Sequence, residues 1–350
     1  MQIGNSAKPL QPTVSIVIVN YNTCDLLRNC LKSIFNYSKE ISIEIIVVDN
    51  ASADKSGEMV QTEFPTVKWI QTGYNAGFAR ANNVGIRAAT GQYVLLLNSD
   101  TEFFETTLSH SLRYHQESEA KRPTGLTSCR MVDDTGKVLL NSNTDAPFFV
   151  KLWEGNPMVI LFKSWFGIEY KNYLEIKTEL HGKEHEALWI GGAFALFNAE
   201  IFKKHNFYLD EDFFMYAEDI EWCNRISEAG FRHFFHTETT VLHYDGGSPV
   251  VSKNKLAQIT ISVWLCLRKV KGLPYYLAYI GLFALNFLLD GFFFWFGKVR
   301  RKPSAQELDA KQQRDFLWQL AKRYFWKIGF EFSKQPSKSK EYLKYAPPQN

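Results

Sequence analysis

Two acidic clusters, more than a hundred residues apart, carry the side chains in this sequence that could do chemistry. The first is Asn98-Ser99-Asp100, directly after the apolar run Tyr93–Leu97, and the second is Glu218-Asp219. A carboxylate at the carboxyl end of a buried strand is well placed to hold a hard divalent cation against a diphosphate. A second carboxylate can act as a base that takes a proton from a hydroxyl. The sequence therefore indicates a metal-assisted site and a proton acceptor.

Each cluster also has a simpler interpretation. Asp100 with Thr101 could cap the helix that follows. The residues around the second cluster, Asp212, Glu218, Asp219 and Glu221, could form the exposed acidic start of a helix. Both alternatives stay open at this point.

The elements that must position these groups are βα repeats. Apolar, β-rich runs at 14–19, 43–48, 67–71 and 93–97 each end in polar residues, and the first, Val14–Asn22, is followed by helical spacing over Cys24–Phe35. Such repeats predict an α/β fold with a mainly parallel, Rossmann-like sheet and helices on both faces. The polar strand ends are then collected along one edge of the sheet.

Two common nucleotide-binding motifs are missing from the sequence. The first strand is followed by Asn20-Tyr21-Asn22-Thr23 and not by spaced glycines, and no Gly-x-x-x-x-Gly-Lys-Ser/Thr loop occurs. These observations argue against a standard nicotinamide or flavin site and against a P-loop triphosphatase. Phosphate charge would have to be balanced by a metal and side chains.

Six motifs occur in order and resemble those of inverting family 2 glycosyltransferases with the GT-A fold. They are Ser15-Ile-Val-Ile-Val-Asn-Tyr-Asn22, Val47-Val-Asp-Asn-Ala-Ser52, Asn75-Ala-Gly-Phe-Ala-Arg-Ala-Asn-Asn83, Leu96-Leu-Asn-Ser-Asp100, Trp189-Ile-Gly-Gly-Ala193 and Tyr216-Ala-Glu-Asp-Ile-Glu-Trp-Cys-Asn-Arg225. The similarity runs from about Val14 to about Ser248, and the best match is to rhamnosyltransferases of bacterial surface-polysaccharide assembly of the O-antigen type. It implies a hexosyltransferase.

The resemblance also implies a role for each motif residue. Asp219 would be the general base of a single displacement, with Glu218 beside it, and Asp100 and His243 would bind a divalent metal, Mg²⁺ or Mn²⁺. Asp49 would contact the nucleobase. The full set implied for the nucleotide sugar is Asn20, Tyr21, Asp49, Asn75, Gly77, Arg80, Asn98 and Ser99. The family's usual Asp-x-Asp appears here as Asn98-Ser99-Asp100, so its first carboxylate is missing and the metal dependence is open.

Four residues are candidates for the acceptor side. Trp189 with Gly191 and Gly192 offers an aromatic face beside a backbone that a sugar can approach closely, or else a core tryptophan with two turn glycines. Arg225 could neutralise a diphosphate, or pair with Glu221 at helical i, i+4 spacing, which we favour.

The domain layout predicted from these patterns has four parts. Residues 1–13 form an extension, 14–248 the catalytic domain with an insert or flap at about 145–188, 249–332 a helical membrane-associating region, and 333–350 a flexible tail rich in Lys, Ser and Pro. The sequence predicts no nucleic-acid partner, because no RNA-binding or base-reading motif accompanies the basic tail.

The last hundred residues suggest contact with a membrane surface. The run Leu273–Gly297 is long enough to cross a bilayer of about 30 Å, yet Asn286 and Asp290 interrupt it, so an interfacial or re-entrant arrangement is favoured over a full span. An apolar stripe, Phe316, Leu317, Leu320, Ala321, Tyr324 and Ile328, lies among basic residues and suits anionic lipid. Docking on the catalytic domain is the alternative. Residues 298–350 hold 13 Lys and Arg against 5 Asp and Glu, a charge of +8, so the rest of the chain carries −5.

Composition adds a compartment. The five cysteines lack Cys-x-x-Cys spacing and no amino-terminal apolar signal precedes Val14, which predicts reduced thiols, no zinc site and a location at the cytoplasmic face of the bacterial inner membrane. The resemblance points to transfer of L-rhamnose from dTDP-rhamnose to a polyprenyl-diphosphate-linked saccharide. A transferase using a UDP-sugar, a processive polysaccharide synthase and a catalytically silent nucleotide-sugar-binding scaffold remain as alternatives.

Overall fold

The computed structural model describes residues 11–144, 179–244, 252–300, 305–332 and 342–346. The chain divides into two compact units. The first contains residues 1–144, 174–209 and 222–248, and the second contains 145–173, 210–221 and 249–350. The pair Glu218-Asp219, expected inside a catalytic domain of 14–248, therefore belongs to the second unit.

The first unit is built on a ten-stranded mixed sheet. Its strands and a small two-stranded ribbon are β1 (Val14–Asn20), β2 (Ile43–Asp49), β3 (Lys68–Gln71), β4 (Tyr93–Asn98), β5 (Thr101–Glu102), β6 (Thr124–Val132), β7 (Val138–Leu139), β8 (Ser142–Asn143), β9 (His185–Ala187), β10 (Trp189–Ile190), β11 (Phe194–Asn198) and β12 (Arg232–His243). Its helices are α1 (Cys24–Tyr37), α2 (Ser56–Glu63), α3 (Gly77–Ala88), α4 (Thr107–Glu119), α5 (Ala199–His205) and α6 (Glu218–Glu228), the first turn of α6 being counted in the second unit.

The strand order is β3-β2-β1-β4-β11-β6-β12-β5, with β7 on β6, β9 on β12 and β8 paired with β10. The first four strands are parallel, and β6 and β12 are parallel to each other. β11 runs antiparallel to β4 and β6, and β5 antiparallel to β12. The predicted Rossmann-like α/β sheet is confirmed, but it is mixed and not mainly parallel, because β5, β7, β9 and β11 pair antiparallel with their neighbours.

Helices cover both faces of this sheet, as predicted. Alternate residues of β4 point to opposite faces, so that Leu95 and Leu97 pack with α1, α2 and α4 while Val94 and Leu96 pack with α3, α5 and α6. Gly85 of α3 lies directly on β1, where a Cβ would come within 2.2 Å of the Val17 side chain. The glycine therefore lets α3 approach the sheet closely.

Part of the predicted flap belongs to the sheet. β9 pairs antiparallel with β12 through His185, Glu186 and Ala187, a strand that the sequence did not predict at this end of the insert. Alternation explains the difference, because a three-residue edge strand carries too short a pattern to be recognised. Residues 145–178 of the insert lie outside the described residues.

The second unit is helical in its described part. It contains α7 (Lys253–Lys271), α8 (Leu273–Arg300), α9 (Ala305–Trp326) and a five-residue π-helix, Lys327–Glu331. Its core is formed by side chains of α7, α8, α9 and the π-helix, among them Trp264, Tyr276 and Leu320. The run Leu273–Gly297 is thus one continuous helix and not a re-entrant hairpin.

The apolar stripe predicted to face lipid is used for this core. Leu320, Ala321, Tyr324 and Ile328 are buried, and Phe316 and Leu317 pack against the same cluster. A stripe on a helix reads the same in the sequence whether a membrane or another helix covers it, so the expectation is corrected here. In the chain as far as it is described, none of the helices combines the length and the apolar character that crossing a bilayer requires.

A short piece of the expected flexible tail is packed. Residues 342–346 contact the second unit, and Leu343 is only 1% exposed. Leu343 forms an isolated parallel bridge with Phe213, and Tyr342 stacks on Phe214 at 5.5 Å. These five residues differ from the predicted flexible tail because apolar side chains within it find a protein surface.

Candidate active site

Polar residues meet at one edge of the first unit's sheet, as the strand pattern predicts. In the parallel register Asn20 lies beside Asp49, and Val19, the residue before Asn20, lies beside Asn98. The three carboxyl ends of β1, β2 and β4 therefore converge. We call this region the donor edge, and it includes the turns that follow those strands.

Asp49 lies at the centre of the donor edge and is fully buried. Its Oδ1 accepts hydrogen bonds from Asn20 Nδ2 at 2.7 Å and Ser52 Oγ at 2.6 Å. Its Oδ2 accepts from the Ser52 backbone N–H at 2.9 Å and from Gln71 Nε2 at 2.8 Å. The carboxylate expected to contact a nucleobase thus ties together β1, β3 and its own turn.

The neighbouring amide, Asn50, fixes the start of α3. Its Nδ2 donates to the Gly77 carbonyl at 3.0 Å, and its Oδ1 accepts from the Ala76 N–H at 3.3 Å. Gly77, with φ of +79°, accepts a left-handed backbone that other residues avoid, and its N–H donates to Asn75 Oδ1. These contacts fix the backbone at the start of the Asn75–Arg80 turn, which is predicted to line the nucleotide pocket.

The remaining donor-edge candidates differ in exposure. Arg80 is buried on α3, whereas Tyr21 is 48% exposed, so its ring can stack on a flat ligand. Ser99 Oγ shares a hydrogen bond of 2.9 Å with Thr23 Oγ1, which in turn donates to Asn20 Oδ1 at 2.7 Å. Thr23 and Asn50 were missed in the sequence, although both stand inside the quoted motifs or next to them.

Asp100 and His243 are brought together by strand pairing. Asp100 is followed by β5 and not by a helix, which corrects the helix-cap alternative. β5 pairs with β12 so that Thr101 lies opposite His243, and the Tyr244 N–H donates to the Asp100 carbonyl at 3.0 Å. His243 Nε2 is 3.2 Å from Asp100 Oδ1 and 3.3 Å from Asn98 Nδ2.

This pair fits a divalent cation whose other ligands come from a diphosphate. Both side chains are only partly exposed, and they present one carboxylate and one imidazole to the same point. Mg²⁺ and Mn²⁺ in nucleotide sites commonly use one or two protein ligands together with substrate oxygens. No cluster of three or more His, Cys, Asp or Glu side chains suited to a metal occurs within the described ranges.

Among the acceptor-side candidates, Trp189 has a polar atom that is unpartnered among the described residues, whereas the other three make packing or backbone contacts. The indole Nε1 of Trp189 is buried and has no hydrogen-bond partner in the described part of the chain. A Cβ on Gly192 would come within 2.9 Å of the Phe78 ring, so Gly192 permits close packing, and the Gly191 N–H donates to the Asn141 carbonyl at 2.7 Å. Arg225 donates to the Tyr208 carbonyl at 2.8 Å, a backbone contact that neither interpretation from the sequence included.

The acidic pair of the second unit is not an exposed helix start. Asp212 is completely buried, Glu218 is 4% exposed and Glu221 is 3% exposed, whereas Asp219 is partly exposed. Burial, and next the neighbouring Asp219 charge, hold the pKa of Glu218 well above its usual range. The raised pKa favours the neutral form of Glu218, and its Oε2 lacks a hydrogen-bond partner among the described residues.

The backbone directly before this pair is strained. Tyr216 and Ala217 have φ of +73° and +63°, two consecutive non-glycine residues in the left-handed region. Such conformations cost about 1–3 kcal/mol each and gather at functional sites. The sequence gives no sign of them, because neither residue is a glycine or an asparagine.

Comparison with known proteins gives the following matches. The profile of a family described as glycosyl transferase family 2 matches residues 15–205. The chain is 27% identical over 219 residues to the low-salt glycan biosynthesis hexosyltransferase Agl10 of Haloferax volcanii, covering 61% of this chain and 61% of that protein. It is 32% identical over 110 residues to the glycosyltransferase GlyG of Streptococcus pneumoniae, covering 31% of this chain and 36% of that protein.

Solved structures also resemble the chain. The mannosyltransferase PcManGT from Pyrobaculum calidifontis, in complex with GDP-Man and Mn²⁺, matches with a TM-score of 0.48 at 16% identity, covering 91% of this chain and 88% of that one. The matches to Agl10 and GlyG span 61% and 36% of those proteins' lengths.

Proposed function

The chain belongs to glycosyl transferase family 2, and from this membership we propose that it transfers one sugar, with inversion, from a nucleoside diphosphate to a hydroxyl of a lipid-linked saccharide. The observation that carries the proposal is the meeting of Asp100 and His243 beside Asn98 at the donor edge. That arrangement suits a diphosphate leaving group.

In the proposed reaction, Asp219 removes the proton of the acceptor hydroxyl. The hydroxyl oxygen then attacks the anomeric carbon while the bond from that carbon to the diphosphate breaks, and the diphosphate leaves with the electron pair. A divalent cation at Asp100 and His243, when bound, would neutralise the charge that develops on the diphosphate. The raised pKa of Glu218 favours its neutral form, which would keep a second negative charge away from the incoming oxygen.

For the donor we propose dTDP-rhamnose and for the acceptor a polyprenyl-diphosphate-linked saccharide of bacterial surface-polysaccharide (O-antigen-type) assembly. The likeness of the motifs to rhamnosyltransferases supports this choice. The hexosyltransferase Agl10, named for glycan biosynthesis, is a relative of the same broad kind. A panel of nucleotide sugars tests the donor, and the dependence of transfer on the lipid-linked saccharide tests the acceptor.

The experiment compares wild type, Asp219→Asn and Glu218→Gln with dTDP-rhamnose and several UDP-sugars, a lipid-linked acceptor, and Mn²⁺, Mg²⁺ or a chelator. We expect acceptor-dependent release of nucleoside diphosphate from one donor, reduced about 10³-fold in Asp219→Asn and within about tenfold of wild type in Glu218→Gln. Transfer from a UDP-sugar alone would replace the rhamnose assignment. Donor binding without transfer would leave a scaffold, and products longer by many sugars would indicate a processive synthase.

We also propose that the protein lies on the cytoplasmic face of the bacterial inner membrane through α8. Leu282, Leu285 and Leu288 follow each other at three-residue intervals on this helix and are 51%, 50% and 64% exposed. The charge of +8 on residues 298–350 complements anionic lipid. The apolar face and the basic charge lie in the same part of the chain.

Sedimentation with vesicles tests this surface. The full chain should bind vesicles of phosphatidylglycerol and phosphatidylethanolamine, and Leu285→Glu should weaken binding about tenfold because it removes apolar contact and adds a repelled charge. Leu320→Ala, which alters the buried stripe of α9, serves as the control for a general loss of packing. Equal binding by wild type and Leu285→Glu would contradict the proposed surface.

A further inference from the structure

The loop that leads to the acidic pair begins in a buried ion cluster. We call residues 210–219 the acidic loop. Asp210 Oδ2 and Asp212 Oδ2 lie 2.6 and 2.5 Å from the Nζ of Lys269 on α7, and all three side chains are completely buried. A buried ammonium between two carboxylates is strongly oriented, since moving it away would leave buried charges without their ion pairs. Lys269 therefore fixes the start of the acidic loop.

A second contact comes from residues 342–346. The Leu343 N–H donates to the Asp212 carbonyl at 2.7 Å, and Leu343 pairs with Phe213 in the parallel bridge. Gln258 of α7 donates to the Leu343 carbonyl at 3.1 Å. Lys344 also places its Nζ 4.5 Å from the centre of the Phe214 ring. This short segment thus joins the acidic loop to α7.

The third contact lies directly before the strained turn. Ser262 Oγ of α7 donates to the Met215 carbonyl at 2.7 Å, and the left-handed residues Tyr216 and Ala217 follow. Two consecutive left-handed residues persist only where the surroundings determine them. The contacts at Asp212, Phe213 and Met215 hold the backbone in place on the amino-terminal side of this turn.

We propose that Lys269 and the segment 342–346 are positioning elements that hold the strained turn, and with it Asp219, in the orientation needed for proton removal. The inference rests on the proposed function, because it gives these residues a part in the same reaction. Neither touches the reacting atoms. Their effect passes through the backbone of the acidic loop.

Two variants probe the two supports separately. In Lys269→Met with Asp210→Asn and Asp212→Asn, the cluster is neutral throughout, so no buried charge is left uncompensated. Leu343→Ala removes the buried side chain of the segment and leaves the ion cluster intact. Lys311→Met is the matched control, because Lys311 forms an exposed ion pair with Asp315 on α9 at 3.0 Å.

Hydrogen–deuterium exchange of the full-length variants reads the loop directly. We expect amides of residues 213–222 to exchange about tenfold faster in both test variants, while β1 and β4 keep their wild-type exchange and Lys311→Met changes nothing. Unchanged exchange of the loop in both variants would overturn the proposal. Leu343→Ala provides this result even if the neutral triple variant does not fold.

Kinetics then separate positioning from simple stability. The kcat for sugar transfer should fall at least about tenfold in both variants, with the KM for the donor within about twofold of wild type. The conservative variant Lys269→Arg keeps the buried positive charge and should retain most of the wild-type kcat. Wild-type kcat in both variants would overturn the positioning role while leaving the proposed function intact. If wild type transfers no sugar, the proposed function fails. The exchange data then decide by themselves whether Lys269 and Leu343 hold the acidic loop in place.

Discussion

The donor edge of the first unit is held by partners from neighbouring motifs, whereas the acidic loop of the second unit is held by partners far along the chain. Around Asp49, the hydrogen bonds join consecutive βα segments, so each motif carries its own partners. The acidic loop relies on Lys269, 57 residues beyond Asp212, and on Leu343, which is further still. The sheet edge is thus held by contacts between local motifs, whereas the acidic loop is held by residues far along the chain.

The largest effect that would break the donor edge is expected from Asp100→Ala. If the pair binds a metal as proposed, removing the carboxylate would leave His243 as its single ligand from this pair, so we expect transfer to fall about 10²–10³-fold. Calorimetry of nucleoside diphosphate binding with Mn²⁺ and with chelator should show that the metal response is lost. Asp25→Ala, which alters an exposed carboxylate of α1, is the control. A full metal response in Asp100→Ala would remove the metal from this site.

Asp49→Asn tests whether the carboxylate at the centre of the donor edge stabilises the fold or contacts the nucleobase. The buried carboxylate accepts four hydrogen bonds, and an amide cannot accept all of them, so we expect a loss of about 1.5–3 kcal/mol in the free energy of unfolding. Urea denaturation measures it against Asp25→Asn. Wild-type stability with weakened nucleotide binding would instead assign Asp49 to the nucleobase.

A smaller effect is expected from Glu218→Gln in the acidic loop. The folded protein raises the pKa of Glu218, so the unfolded chain releases this proton at a lower pH than the folded protein does. Between the two pKa values wild type loses stability as the pH rises, and the loss is complete above the folded value. Glutamine has no proton to release.

Relative to wild type, Glu218→Gln should therefore become more stable as the pH rises from the pKa of a free glutamate, about 4.3, towards the raised pKa of the folded protein. Thermal unfolding across this range measures the difference. Glu228→Gln, an exposed carboxyl at the other end of α6, should show no such trend. A constant difference between Glu218→Gln and wild type at every pH would contradict the raised pKa.

The donor edge was largely predictable from the sequence, since apolar runs ending in polar residues fix both the strands and their shared edge. The joining of Asp100 with His243 was implied by the resemblance alone, because pairing between β5 and β12 has no local signal. The internal hydrogen bonds of Asp49 were not predictable. A carboxylate after a strand looks the same whether it faces a ligand or its own turn.

The acidic loop and the helical unit were less predictable for a related reason. Burial of Asp212 depends on a lysine in a distant helix, and a single lysine in an amphipathic helix suggests solvent. The stripe on α9 has the same pattern for lipid and for protein. Long-range pairing decided these outcomes, and neither spacing nor composition encodes it.

The left-handed turn at Tyr216 and Ala217 sets a limit on how this protein can be improved. Ala217→Gly would relax the backbone, since glycine occupies φ near the observed +63° without steric cost. The same change frees the loop to adopt other shapes. Selection for thermal stability and selection for turnover should therefore favour different residues at this position. The strained alanine is a compromise between the two.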